Sequence, residues 1–265
     1  MGTVLITGCS VGIGLATALE LARAGHRVIA TMRNPAGAPR LAETAAAENL
    51  PIEIRTLDVD SDESVRACFA AIDSPIDVLV NNAGIEVHGS VEELPIAAVA
   101  QVMNTNYLGT VRCIQAVLPQ MRERRSGCIV NISSVAGRIS NSPLGAYSAS
   151  KFAVEAISEA LAGEVKSFGI RVAIVEPGIQ NTRMAQAITN PEESLYPHTA
   201  RMSGLFRAAL ANPVPPEVTA GVIRQIIRER NLETAPSLRS RCRALSRLAE
   251  RPERRAMGRL ERSGR

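Results

Sequence analysis

A chain of 265 residues, 46% of them hydrophobic, can bury one full α/β core or at most two small ones. Aromatics are only 3% and Trp is absent, so the core must come from Val, Ile, Leu and Ala, which suits buried parallel strands and their covering helices. The net charge of +4 hides an asymmetry: from residue 224 onward there are 13 Arg against 5 Glu, and the remainder is mildly acidic.

No stretch reaches the roughly 18 apolar residues that span a bilayer. No aromatic side chains interleave the C-terminal arginines, as stacking on bases would require. Neither a membrane nor a nucleic acid is an expected partner. In chain order, the first β-branched run is 4–7, with no leader expected ahead of it. Further runs lie at 27–31, 52–57, 77–80, 128–132 and 170–175. Segments with helical spacing separate them, among them 13–23, 61–72 and 111–124. Strands alternating with helices imply right-handed crossovers, and so an α/β fold: a doubly wound parallel sheet of Rossmann type, helices on both faces, in a single domain.

Past Pro177 the periodicity weakens. Residues 183–216 carry Pro191, Pro197, Pro213, Pro215 and Pro216 and read as a substrate lid with a helical patch at 201–210. A helix over 217–230 and a weak strand over 232–238 close a catalytic domain of residues 1–238. Residues 239–265 read as an Arg-rich appendage. Cys9, Cys68, Cys113, Cys128 and Cys242 form no C-x-x-C pair, so neither a zinc site nor a disulfide framework is expected, and a reducing, cytoplasmic location is. His26, His88 and His198 do not cluster and read as surface or loop residues.

Two constellations carry chemistry. The first strand runs into Thr7-Gly8-Cys9-Ser10-Val11-Gly12-Ile13-Gly14 and then a helix. Glycines at a strand-to-helix turn let backbone approach a pyrophosphate, and the helix N-terminus supplies N–H groups and positive dipole. At the end of strand two, where an NAD site usually has a carboxylate, the sequence reads Ala30-Thr31-Met32-Arg33-Asn34. Arg33 can meet a 2′-phosphate, which selects NADP. The second constellation is Tyr147-Ser-Ala-Ser-Lys151, opening the helical run 152–168. Positions i and i+4 share a helix face, so an ammonium stands beside a phenol whose pKa it can lower. Lys151 is one of two lysines in the chain, and Ser134 stands just past the fifth strand.

Taken in order, these motifs resemble the short-chain dehydrogenase/reductase family. Besides the loop at 7–14, the chain has Asn81-Asn82-Ala83-Gly84, Asn104-x-Asn106-x-x-Gly109, Asn131-Ile-Ser-Ser134, Tyr147-x-x-x-Lys151 and Pro177-Gly178-x-x-x-Thr182. The wording Thr-Gly-Cys-Ser and Ala-Thr-Met-Arg is similar to the branch of NADP-linked hydroxysteroid and retinoid dehydrogenases. The resemblance implies hydride transfer between NADP(H) and a carbonyl or secondary alcohol, on an apolar small molecule. Tyr147 would be the proton donor, Ser134 the group holding the substrate oxygen, Lys151 the group that tunes Tyr147, and Asn106 the holder of a water beside Lys151. Gly8, Ser10, Gly12, Ile13, Gly14, Arg33, Asp58, Val59, Asn82, Ala83, Gly84, Tyr147, Lys151, Pro177, Gly178, Ile179 and Thr182 would line the dinucleotide. Helices 111–124 and 152–168, with Ala153, Ala156 and Ala160, resemble the pair that assembles this family into homodimers or homotetramers. No metal is expected. The alternative is a non-catalytic NADP-binding sensor or scaffold on the same fold.

Overall fold

A computed structural model describes residues 2–186 and 194–229. Six strands, β1 (Thr3–Thr7), β2 (Arg27–Met32), β3 (Ile52–Thr56), β4 (Val78–Asn81), β5 (Gly127–Ile132) and β6 (Ile170–Val175), form one parallel sheet of order β3-β2-β1-β4-β5-β6. Each coincides with an expected β-branched run to within a residue or two. The order reverses between β1 and β4, and there the carboxyl ends of the strands open a crevice.

The helices are α1 (Gly12–Arg23), α2 (Pro39–Ala47), α3 (Asp62–Ala70), α4 (Ile96–Met103), α5 (Gly109–Arg124), α6 (Gly145–Val165), α7 (Arg183–Gln186), α8 (Pro197–Ala209) and α9 (Pro216–Arg228). They cover both sheet faces. One core joins Val4, Ile6, Val28 and Val130 to Leu15, Ala18 and Leu21 of α1 and to Ile223 and Ile226 of α9. The other joins Leu5, Ile29, Leu79 and Ile129 to Val65 of α3, Val117 of α5 and Leu161 of α6. Alternate residues of one strand thus feed opposite cores, which is why the strands read as unbroken apolar runs.

Two departures from the sequence reading bear on the site. α4 and α5 are joined by a π-helical turn, Asn104–Leu108, which buries Asn106. The helix expected over 201–210 begins at Pro197, whose fixed φ suits a first helical position. Segment 194–199 is tied to the loop after β4: Ser90 and Thr199 hydroxyls lie 2.8 Å apart, Glu93 accepts from Ser194 Oγ and Leu195 N–H, and Tyr196 donates to Glu92. Pro191, the strand expected over 232–238, the appendage 239–265 and Cys242 lie outside the described residues. No helix among the described residues is long and apolar enough to cross a membrane.

Candidate active site

The glycine loop is shaped by its neighbours. Gly8 has φ +73°, and a Cβ there would stand 2.8 Å from Ala83 Cα; at Gly14 a Cβ would collide with the Gly8 carbonyl and Asn82 Nδ2. Only glycine lets α1 start this close to β1. The loop is then fastened to the segment after β4. Thr7 Oγ1 accepts from Asn82 N–H (3.0 Å) and Ala83 N–H (2.9 Å), while Asn82 Nδ2 donates to the Thr7 and Gly8 carbonyls at 2.9 and 3.0 Å. Asn82 therefore shapes the loop with its side chain. Across the crevice, Thr182 packs against Gly12 and its Oγ1 accepts from Ala185 N–H. The first turn of α1 has no side-chain cap and no acidic residue. Its N–H groups remain available to an anion, as a pyrophosphate requires. The loop, Ser10 and Ile13 included, fits the expected dinucleotide.

Arg33 follows β2, is exposed, and makes no hydrogen bond or ion pair to a described residue. Asp58 and Val59 follow β3. Asp58 Oδ1 accepts from Asp60 N–H, and Val59 is buried where a Cβ on Gly109 would strike it. Pro177 accepts from Val135 N–H at 3.1 Å and so holds β6's exit against Ser134, whose Oγ caps the turn at Ala136 N–H. Gly178 and Ile179 continue this wall, half-buried. Gln180 is buried, and the Gln180–Asn181 backbone pairs with Val214.

α6 presents Tyr147, Lys151, Val154, Ser158 and Leu161 on its buried face, so the i, i+4 pair points inward as the spacing requires. Ser134 Oγ acts on the Tyr147 phenol, favouring its ionised form, and donates to Pro177 O at 3.5 Å. Lys151 Nζ donates to Ile132 O at 2.9 Å and lies 5.7 Å from the Tyr147 ring centre. Burial pushes the Tyr147 phenol well above its usual 10.0, the Glu86 carboxylate adds to this, and Ser134 opposes it. Burial pulls Lys151 down to about 8, against Glu86 and Glu155, which hold it up. The lowering expected on Tyr147 from Lys151 does not prevail: desolvation of the phenol dominates.

Asn106 is held on three sides. Its Nδ2 donates to Ile85 O and to Ser150 Oγ, both at 2.9 Å, and its Oδ1 accepts from Ile85 N–H at 2.8 Å. Both amide donors are thus engaged with described residues. Ser150 Oγ passes on to Tyr147 O at 2.7 Å. Beneath the site Asn81, Asn131 and Ser158 form a buried chain, 2.8 Å at each link. His88 lies in the loop after β4, as read, but its side chain is turned inward beside Glu86. Sequence reasoning passed over Thr7, Ser150, Glu86 and His88; only the Asn-Asn-Ala-Gly motif, which needs an anchor for its amides, signalled Thr7.

The short chain dehydrogenase family profile matches residues 2–193. Human retinol dehydrogenase 8 is 47% identical over 181 residues, 66% of this chain but only 58% of that protein, so the chain spans little more than half of that relative's length. Human 17-beta-hydroxysteroid dehydrogenase type 1 is 38% identical over 229 residues, 79% of this chain and 70% of that one. A crystal structure of a variant actinorhodin polyketide ketoreductase with NADPH superposes with TM-score 0.77 at 32% identity, covering 85% of this chain and 90% of the other.

Proposed function

The chain belongs to the short chain dehydrogenase family, and on that premise we propose that it transfers hydride between NADP(H) and a carbonyl/secondary-alcohol pair on an apolar small molecule. One observation carries the reading: Tyr147 and Lys151 share the buried face of α6 with Ser134 beside the phenol, at the carboxyl end of β5 and next to the glycine loop. Gly8, Ser10, Gly12, Ile13 and Gly14 would hold the pyrophosphate, Thr182 facing them; Asp58 and Val59 would border the adenine, and Asn82, Ala83, Gly84, Pro177, Gly178 and Ile179 the remainder. Arg33, exposed without a partner among the described residues, suits a 2′-phosphate.

When bound, NADPH would supply the hydride from its nicotinamide C4. Tyr147 gives its hydroxyl proton to the carbonyl oxygen, and Ser134 Oγ–H donates to the same oxygen as charge develops there. Lys151 stabilises the phenolate left behind, and its ammonium would help to hold the nicotinamide ribose. Asn106 acts as a positioning residue through Ile85 and Ser150. Ile85, Val87, Leu144 and Phe206 pack around Tyr147, which supports an apolar substrate, as do relatives named for retinol and hydroxysteroids.

Assembly through α5 and α6 is supported by Leu108 and Phe152, exposed large apolar residues on that surface. A cytoplasmic location is supported by Cys9, Cys68, Cys113 and Cys128, all buried free thiols. The test is Tyr147→Phe, followed by loss of NADPH absorbance over a panel of ketones. Turnover is expected to fall about a hundredfold or more, with NADPH affinity nearly unchanged. Turnover within about tenfold of wild type would overturn the role of Tyr147.

A further inference from the structure

α6 carries a second buried charge. Glu155 stands four residues after Lys151, one turn along the same buried face, and is 5% exposed. It meets the turn that follows β5. A Cβ on Gly137 would lie 2.6 Å from Ser133 Oγ and 3.2 Å from Glu155 Oε1, so turn and carboxyl come together at that glycine. Arg138 closes the junction from the solvent side. Its guanidinium reaches Glu155 Oε2 at 3.5 Å and Glu159 Oε1 at 3.7 Å on α6, and Glu176 Oε1 at 2.9 Å just past β6.

These contacts join three segments that each carry part of the candidate site. The turn holds Ser134, and Ile132 just before it accepts from Lys151 Nζ at 2.9 Å. α6 holds Tyr147 and Lys151. Glu176 leads into Pro177, whose carbonyl accepts from Val135 N–H at 3.1 Å. A carboxylate is costly to bury, and a well-packed apolar side chain would hold helix and turn together at least as firmly. The position therefore calls for a role that needs the charge. Burial lowers Lys151, and the fields of Glu86, from the loop after β4, and of Glu155 hold its proton on. Burial likewise raises the Glu155 carboxyl; Ser133 and Arg138 favour its ionised form, while Glu176 and Glu159 disfavour it.

We propose that Glu155, with Arg138 as its counter-ion, is a positioning residue of the candidate reaction: it seats the turn carrying Ser134 against the helix carrying Tyr147 and Lys151, and it fixes a negative charge one helical turn from the ammonium. The inference rests on the carbonyl-reduction reading. It adds a residue that touches neither substrate nor cofactor and acts through Lys151 and Ser134.

The chain has two lysines, Lys151 and Lys166, so lysine isotopically labelled at Cε gives two NMR signals in the full chain, and the one lost in Lys151→Met is Lys151. In wild type that signal is expected to titrate near 8. In Glu155→Gln, close in size but uncharged, it should titrate lower by about half a pH unit or more, because less field holds the proton. The alkaline limb of kcat against pH should move the same way. Arg138→Met, at an exposed side chain, should lower kcat at neutral pH about threefold or more by loosening the turn, and Arg138→Lys should restore part of it. The double variant Glu155→Gln with Arg138→Met should lose less than the product of the two single losses, as expected of a coupled pair. A Lys151 titration unchanged in folded Glu155→Gln overturns the proposal, as does full kcat in Arg138→Met. If Glu155→Gln does not fold, the Arg138 variants decide. If no ketone is reduced by wild type, the reduction reading fails, and the Lys151 titration still decides the role of Glu155.

Discussion

Replacing Asn106 by Ala should weaken the fold before it weakens the chemistry. The side chain is 1% exposed and makes its bonds to Ile85 N–H, Ile85 O and Ser150 Oγ at 2.8–2.9 Å. Ser150 keeps its bond to Tyr147 O, but the Ile85 amide and carbonyl lose their partner inside the protein. At about 0.5–1.5 kcal/mol for each bond, with a surcharge for backbone groups left buried, the loss comes to about 2–4 kcal/mol. For a chain of this size that is a fall in Tm of roughly 5–10 °C. Thermal melting by circular dichroism reads the sum, and amide hydrogen exchange at Ile85 reads the site, where protection should drop selectively. Activity should fall too, since Ile85 leads into the Glu86–His88 segment that borders Tyr147. If Asn106→Ala melts within about 1 °C of wild type and Ile85 keeps its protection while turnover collapses, Asn106 acts on the chemistry directly and the strap is wrong.

Arg33→Ala should cost NADPH roughly 10- to 100-fold in affinity, as loss of a charge-assisted bond, and leave NADH nearly unchanged; equal effects on both would remove Arg33 as the selector. Its Tm should stay within about 2 °C, since the guanidinium has no partner among the described residues. The difference in Tm between wild type and Lys151→Met should shift in favour of wild type as pH rises from about 8 to 10. The native ammonium titrates near 8 and the unfolded one near 10.5, so in that window the unfolded chain binds more protons and stability rises with pH. Beyond pH 10, Tyr147 works the other way, its folded pKa being raised above 10.0. A difference that stays flat from pH 8 to 10 would mean that Lys151 is hydrated rather than buried.

The parts that local chemistry dictates could be read directly. Six strand runs, the glycine loop and the Tyr147–Lys151 spacing follow from β-branched clustering, φ above zero at Gly8 and Gly12, and helical periodicity. What escaped depends on residues distant in the chain. The π-turn at Asn104–Leu108 goes with a bond from Asn106 to Ile85, 21 positions away. The sequence does not single out α2 or α4, whose lengths of nine and eight residues carry little periodic signal. His88 reads as a loop residue because the ring that covers it, Phe206, arrives only with α8. A lone His or Glu carries no local signature of burial, so a polar pair made between neighbours and sealed by a remote helix leaves no trace in spacing.

Glu86 connects these observations. A buried phenol and a buried ammonium are pushed by desolvation toward their neutral forms, which keeps the Tyr147 proton in place but loosens the hold of Lys151 on its own. A carboxylate nearby acts on both in one direction, favouring the bound proton on each. The effect on Lys151 restores the cation that a departing phenol proton needs opposite it; the effect on Tyr147 keeps that proton available at neutral pH. Both suit proton donation to a carbonyl oxygen better than proton removal from an alcohol, since a base would need the phenolate that Glu86 disfavours. On the proposed reading one carboxylate thus biases the proton donor and supports its cation, beside a wall that includes Ile85, Val87, Leu144 and Phe206.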